Sequence, residues 1–138
     1  RAHNEAVITV ALAEALKDAR LPWQPASGDR FLIPHRGMDD SIFHIAEMTI
    51  EVHDHFGRGV IKFNGTTEWA LDSVAQEDVL WLPREDQLRA ALGEDLVALE
   101  NDSGQWIVTY RVAGENRRVV DGDVECAYAR ALVDLLGD

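Results

Sequence analysis

The fold class follows from QWIVTYRVAGENRRVV at residues 105–120 and from LVAL at 96–99 before it. Three runs rich in apolar and β-branched residues, at 96–99, 105–112 and 117–120, are short enough to be strands. The polar, glycine-containing stretches NDSG and AGEN separate these runs and are typical of tight turns. The sequence therefore predicts three consecutive antiparallel strands.

A helix is predicted directly after these strands, over residues 123–136. Its apolar residues recur at the spacing of one helix face: Val124, Tyr128, Ala131, Leu132 and Leu135. Another helix, over 83–92, has a proline near its first turn, acidic residues after it and Gly93 as its stop. The run VLWL at 79–82 predicts a buried strand.

The first half of the chain predicts a similar order of elements. A helix is expected over 4–20, with Asn4 as its N-cap, and another over 67–76. Three strands are predicted between these helices, at 31–33, 42–54 and 60–63.

The predicted strand at 42–54 alternates between apolar and polar residues. Its apolar positions are Ala46, Met48, Ile50 and Val52. Its polar positions are Glu47, Thr49, Glu51 and His53. Alternation of this kind indicates an antiparallel sheet with one solvated face.

The fold class expected from these elements is α+β, with antiparallel sheets and packed helices in a single domain over 1–138. Two halves, 4–76 and 79–136, each contain an α-βββ-α order. NGTTEWA at 64–70 and DGDVECA at 121–127 share the pattern [ND]-G-x-x-E-x-A. A duplication explains this pattern, but so does the general preference of strand-to-helix junctions for Asn-Gly or Asp-Gly followed by an early Glu.

Composition excludes several classes of function. The 138 residues carry 25 acidic and 13 basic side chains, a net charge of −12, which repels phosphodiester backbones and anionic membrane surfaces. The apolar runs are far shorter than the roughly 20 residues of a membrane helix. Cys126 is the single cysteine, so no internal disulfide forms, and a reducing cytosol is expected.

The junction between the strand at 60–63 and the helix at 67–76 is a candidate ligand site. Glycine-rich helix starts offer free backbone N–H groups to anions. The residues in question are Asn64, Gly65, Thr66, Thr67 and Trp69. The chain lacks the P-loop pattern, and Glu68 would itself occupy the positive end of the helix, so capping of the helix is the favoured interpretation.

A candidate metal site lies on the long predicted strand. Glu51, His53 and His55 are two residues apart each time, so they share one strand face, where two imidazoles and a carboxylate suit Zn²⁺. Any solvated strand face produces polar trios of this kind, and the expectation is that no cofactor binds.

Candidate nucleophiles are few. None of the four serines lies in G-x-S-x-G, and Cys126 falls near the apolar face of its helix, where a thiol packs as a small hydrophobe. No catalytic residue is predicted.

Four stretches of the chain carry a resemblance to a known group of proteins. They are GDRFLIP at 28–34, MTIEVHD at 48–54, FNGTTEWALDSV at 63–74 and VLWLPREDQLRAALG at 79–93. Together they resemble small actinobacterial proteins labelled as pilus assembly proteins, over most of the chain from residue 12 onwards. The large ATPases to which that label properly belongs have a nucleotide motif that is missing here. The resemblance implies a short cytosolic protein with no catalytic residues to carry over.

The expected function is a non-enzymatic interaction or regulatory module that binds a protein partner, associated with pilus assembly or secretion machinery through the resemblance alone. The alternative is a small-molecule or metal-binding protein, or an enzyme, that uses the 64–69 junction or the Glu51, His53 and His55 face. The oligomeric state is left open, with a homodimer as one alternative.

Overall fold

The computed structural model describes residues 8–34, 38–45, 50–55, 58–63, 73–75 and 78–137. Their helices are α1 (Val10–Asp18), α2 (Glu85–Leu92) and α3 (Val124–Gly137), and a 3-10 turn at Gly93–Asp95 follows α2. Their strands are β1 (Arg30–Ile33), β2 (Met38–His44), β3 (Ile50–His55), β4 (Arg58–Phe63), β5 (Ser73–Ala75), β6 (Leu80–Leu82), β7 (Leu96–Asp102), β8 (Gln105–Val112) and β9 (Glu115–Asp121).

The described strands form antiparallel three-stranded sheets with the orders β2-β1-β6, β3-β4-β5 and β7-β8-β9. The predicted α+β class is confirmed. None of the helices in the described ranges is both long and apolar enough to cross a bilayer. The chain forms two compact units, Trp23–Leu82 and Arg1–Pro22 with Pro83–Asp138.

In the discontinuous unit, β7, β8 and β9 form the predicted meander. Both hairpins have two-residue turns: Asp102 pairs with Gln105 around Ser103 and Gly104, and Val112 pairs with Glu115 around Ala113 and Gly114. All four turn residues have positive φ, between 52° and 88°, as a type I′ turn requires. This turn type matches the twist of the strands, so each turn fixes the register of its hairpin.

The core of this unit forms around α3. The helix packs against β8, β9, α1 and α2, which explains why most of its residues from Glu125 to Leu132 are buried. Its neighbours contribute a set of buried apolar residues: Ala13, Leu16, Leu88, Leu92, Val108, Val112 and Val119. Each fully buried Leu or Val stabilises the fold by roughly 1.5–3 kcal/mol.

The core of the unit Trp23–Leu82 combines aromatic and aliphatic side chains. All four residues of β1 are buried, because β1 lies between β2 and β6. Phe31, at the centre of β1, has its ring 5.6 Å from Phe43 and 6.5 Å from Trp23, and Trp23 stacks on Trp81 at 5.5 Å. Trp23 therefore packs against this core and stacks on Trp81 at the same time.

The single strand predicted over 42–54 is wrong. The structure divides it between β2, which pairs with β1, and β3, which pairs with β4 in another sheet. Ile45, just after β2, exchanges backbone hydrogen bonds with the loop before β1, through Gly28 N–H at 2.6 Å and Asp29 C=O at 2.9 Å. Positions 46–49 of the predicted alternation lie outside the described residues.

The helix predicted over 67–76 is wrong at 73–75, where β5 pairs antiparallel with β4. Cross-strand pairing outweighs the helical spacing here, because Val74 lies opposite Ile61, and β-branched residues favour the pleated backbone. The rest of the predicted helix is outside the described residues.

The predicted pair of α-βββ-α halves is not confirmed. β1 pairs with β2 and with the later strand β6, whereas β7, β8 and β9 pair strictly in chain order. The two halves therefore differ in strand order.

Candidate functional site

The predicted ligand junction, formed by Asn64, Gly65, Thr66, Thr67 and Trp69, lies outside the described residues. Its ligand role and its capping role both stay predictions. The related motif at 121–127, however, is described in full.

In this second motif the polar groups cap α3. Asp123 Oδ2 accepts a hydrogen bond from Cys126 N–H at 2.9 Å, and the Asp123 C=O accepts the first helical bond from Ala127 N–H. Asp121 Oδ1 in turn accepts from Asp123 N–H at 2.9 Å. The motif therefore stabilises the strand-to-helix corner, the role that sequence reasoning favoured for this type of junction.

The N-terminus of α2 is engaged by side chains as well. Glu125, which is buried in the first turn of α3, accepts a hydrogen bond from Glu85 N–H at 3.0 Å through Oε2. Gln87 Oε1 accepts from Arg84 N–H at 2.9 Å, which is the half of a capping box that a Gln at this position supplies. A carboxylate of the protein thus lies where an anionic ligand of α2 would bind.

Cys126 is buried, which confirms its predicted place in the core. Burial, together with a hydrogen bond involving Asp123, raises the pKa of the thiol to about 11. A nucleophilic cysteine requires a lowered pKa, so this environment disfavours the reactive thiolate. Arg130, one turn further on, is directed instead to Asp121 Oδ2 at 3.2 Å and Val120 C=O at 2.9 Å.

Tyr110, Arg117 and Asp134 form a polar cluster between the sheet and α3. The Tyr110 hydroxyl donates to Asp134 Oδ2 at 2.7 Å, and Arg117 donates to both carboxylate oxygens at 2.9 Å. These bonds lower the pKa of Asp134, while burial and the Asp134 carboxylate raise the pKa of Tyr110 to about 12. The cluster links α3 to two strands.

A second buried polar group lies in the unit Trp23–Leu82. The carboxylate of Asp29, which is 1% exposed, accepts hydrogen bonds from Trp23 Nε1 at 2.8 Å and Ala26 N–H at 3.0 Å. Sequence reasoning missed this group, because an Asp after Ser-Gly is indistinguishable from an ordinary turn residue. The carboxylate fixes the loop that leads into β1.

The predicted metal residues Glu51, His53 and His55 occupy alternate positions of β3, opposite Lys62, Val60 and Arg58 of β4. The strand that the prediction required is therefore present. Elsewhere in the described part of the chain, no three His, Cys, Asp or Glu residues are close enough to hold a metal ion. The proposed metal site itself stays a prediction.

The most distinctive surface in the described residues is the edge of β7. The strand pairs with β8 alone among them, and none of its seven residues is buried. Val97 is 41% exposed and Leu99 is 37% exposed, although Leu99 pairs with the fully buried Val108. An unpaired strand edge with exposed apolar side chains is a template for another strand.

The hairpin geometry shows which backbone groups of β7 point outward. Asp102 and Gln105 close a two-residue turn and so form a hydrogen-bonded pair, after which bonded and non-bonded pairs alternate. Glu100 and Ala98 therefore bond to β8, whereas Leu99 and Asn101 direct their N–H and C=O groups away from it. A bulge at Val97 limits the regular edge to residues 98–102.

The opposite edge of the sheet, β9, is protected at one of its outward-facing residues. By the same alternation Val120 points its backbone outward, and its C=O accepts a hydrogen bond from the Arg130 guanidinium at 2.9 Å. Arg130 is held in place by Asp121. A charged side chain over the edge is a common device against strand addition, so the two edges of this sheet are not equivalent.

The β7 edge is also acidic. Glu100 and Asp102 lie on it, Glu94 and Asp95 precede it, and residues 90–110 contain neither Lys nor Arg. The sequence predicted a strand at 96–99 but gave no sign of its place at an edge, because edge position depends on pairing with distant residues.

Three comparisons with known proteins give no match: no protein-family model, no curated protein and no solved structure corresponds to this chain. The expected relationship to proteins labelled as pilus assembly proteins is not tested by them.

Proposed function

We propose that the protein is a non-enzymatic interaction module that binds a segment of a partner protein along the β7 edge. The observation that carries this proposal is the contrast between the two edges of the β7-β8-β9 sheet. Arg130 binds the outward C=O of Val120 on β9, whereas the outward backbone groups of Leu99 and Asn101 on β7 lie beside exposed apolar side chains. Strand addition to such an edge is a common mode of peptide recognition.

The polar groups around α3 stabilise the fold, which favours binding over catalysis as the function. Asp123 and Glu125 are engaged in capping helices, and the pKa of the Cys126 thiol is raised. A reducing cytosol, expected from the single cysteine, is part of the same proposal. The resemblance noted above makes pilus and secretion components the first partners to test.

The experiment is affinity purification of the full chain from its native host, with mass spectrometry of proteins and small molecules. We expect a stoichiometric protein partner that the Leu99→Lys variant loses, because the new charge blocks strand addition. Val120→Lys is the matched control, since Val120 is 47% exposed on the protected edge, and this variant should retain the partner. Recovery of one stoichiometric metabolite and no protein would overturn the proposal.

A further inference from the structure

We infer, on the basis of the proposed function, that the partner segment is an extended strand with basic residues on one face and apolar residues on the other. The inference depends on how side chains alternate along the regular edge of β7. Successive residues of a strand point to opposite faces of the sheet. The two faces of this edge have different chemistry.

One face of the edge is acidic. Glu100 and Asp102 occupy alternate positions, opposite Ile107 and Gln105 of β8, and are exposed. Residues of an added strand that lie directly opposite these carboxylates would be on the same face. Opposite charges across neighbouring strands stabilise the pair and like charges destabilise it, so Lys or Arg fits both positions.

The other face of the edge contains Leu99 and Asn101, and at Leu99 it continues the core. Leu99 shares this face with Val108 of β8 and Val119 of β9, both of which are buried. An apolar residue opposite Leu99 would extend this row by one strand and reduce the exposure of Leu99. The segment should therefore have basic residues opposite Asp102 and Glu100 and an apolar residue directly after them, opposite Leu99.

The pairing direction is inferred to be antiparallel. Every strand pair in the described residues is antiparallel, and antiparallel pairing is slightly more stable per residue than parallel pairing. The peptide KTKVTV, read from its N-terminus, then places its two lysines opposite Asp102 and Glu100. Its first valine lies opposite Leu99. The net charge of −12 disfavours a second copy of this chain as the occupant.

The test is fluorescence anisotropy of labelled KTKVTV with the full-length protein, and ETEVTV as the charge-reversed peptide. Two charged pairs should make KTKVTV bind about fivefold more tightly than ETEVTV at low salt. The double variant Glu100→Lys with Asp102→Lys should reverse this preference. Equal affinity of the two peptides for the wild-type protein, or no saturable binding of KTKVTV, would overturn the inference.

N-methylated peptides test the strand geometry without changing the protein. Methyl groups on the amides of the second and fourth residues, which would bond to Asn101 and Leu99, should abolish binding. Methyl groups on the third and fifth residues, whose amides point away from β7, are the matched control and should have little effect. Equal loss of binding by both methylated peptides would rule out this strand pairing.

The outcomes separate this inference from the proposed function. If both charge forms bind equally and Leu99→Lys abolishes both, strand docking stands and the basic segment is wrong. If a protein partner is captured equally well by Leu99→Lys, the β7 edge is not the interaction site. Sedimentation velocity should show a monomer, and a dimer that Leu99→Lys dissociates would make a second copy the occupant and overturn the inference.

Discussion

The carboxylate of Glu125 in α3 accepts a hydrogen bond from the backbone N–H of Glu85, the first residue of α2, at 3.0 Å. Replacing Glu125 with Ala removes the acceptor from a partly buried helix end. We expect a loss of about 2 kcal/mol in the free energy of unfolding, because a hydrogen bond to a charged group contributes about 1.5–3 kcal/mol. Urea denaturation measures it.

Glu85→Ala is the control for this prediction, because it keeps the backbone N–H that donates to Glu125. Its expected loss is below about 1 kcal/mol, the range of a charge near a helix N-terminus. Equal losses in the two variants would show that the hydrogen bond does not link α2 to α3.

Asp134 should make stability depend on pH in the acid range. Hydrogen bonds from Tyr110 and Arg117 lower its pKa in the folded state below 3.8. The stability that ionised Asp134 contributes to the fold is therefore fully present above the pKa of the unfolded state, roughly 3.9. It is lost as pH falls through the lower pKa of the folded state. Asp134→Asn should flatten the pH dependence of the melting temperature below about pH 4.

The control for this prediction is Glu115→Gln, which alters an exposed carboxylate on the same sheet. It should leave the slope close to that of the wild-type protein. A slope that Asp134→Asn leaves unchanged would contradict the assigned role of the cluster.

Replacing Ala113 with glycine should stabilise the protein. Its φ of 52° is left-handed, which costs an L-residue about 1–2 kcal/mol, whereas added freedom of the unfolded chain costs a glycine about 0.4–1 kcal/mol. Ala113→Gly should thus raise the free energy of unfolding by roughly 0.5 kcal/mol. Gly114→Ala, at φ 83° with open space around it, should lower it by about 1 kcal/mol. Chemical denaturation that gives both changes the same sign would refute the turn assignment.

Zinc should leave the melting temperature unchanged. Alternate positions on β3 bring Glu51, His53 and His55 to one strand face, but any solvated strand produces such trios. Differential scanning fluorimetry with stoichiometric Zn²⁺ tests this. A rise of several degrees that His53→Ala removes would make the metal-binding alternative the better one.

Local patterns predicted the elements that form from neighbouring residues. β8, at Gln105–Val112, has the predicted bounds, and both hairpin turns fall within NDSG and AGEN. The predicted strand at 42–54 is wrong because its two parts join different sheets, β2 with β1 and β3 with β4. The alternation of residues within a segment contains no information about which other strand it will pair with.

The same limit applies to the candidate site. The sequence predicts the strand at 96–99 and shows the acidic residues around it. The hydrogen bond from Arg130 to the outward C=O of Val120 on β9 depends on where α3 places one guanidinium. Only the folded arrangement distinguishes the two edges.

The stacked rings of Trp23 and Trp81 lie at the two ends of the unit Trp23–Leu82. The polypeptide therefore enters and leaves this unit at one place, where Arg30 of β1 also pairs with Leu82 of β6. Because its two ends lie together, this unit is suited to insertion into a surface loop of another protein, where the ends of that loop would stay close.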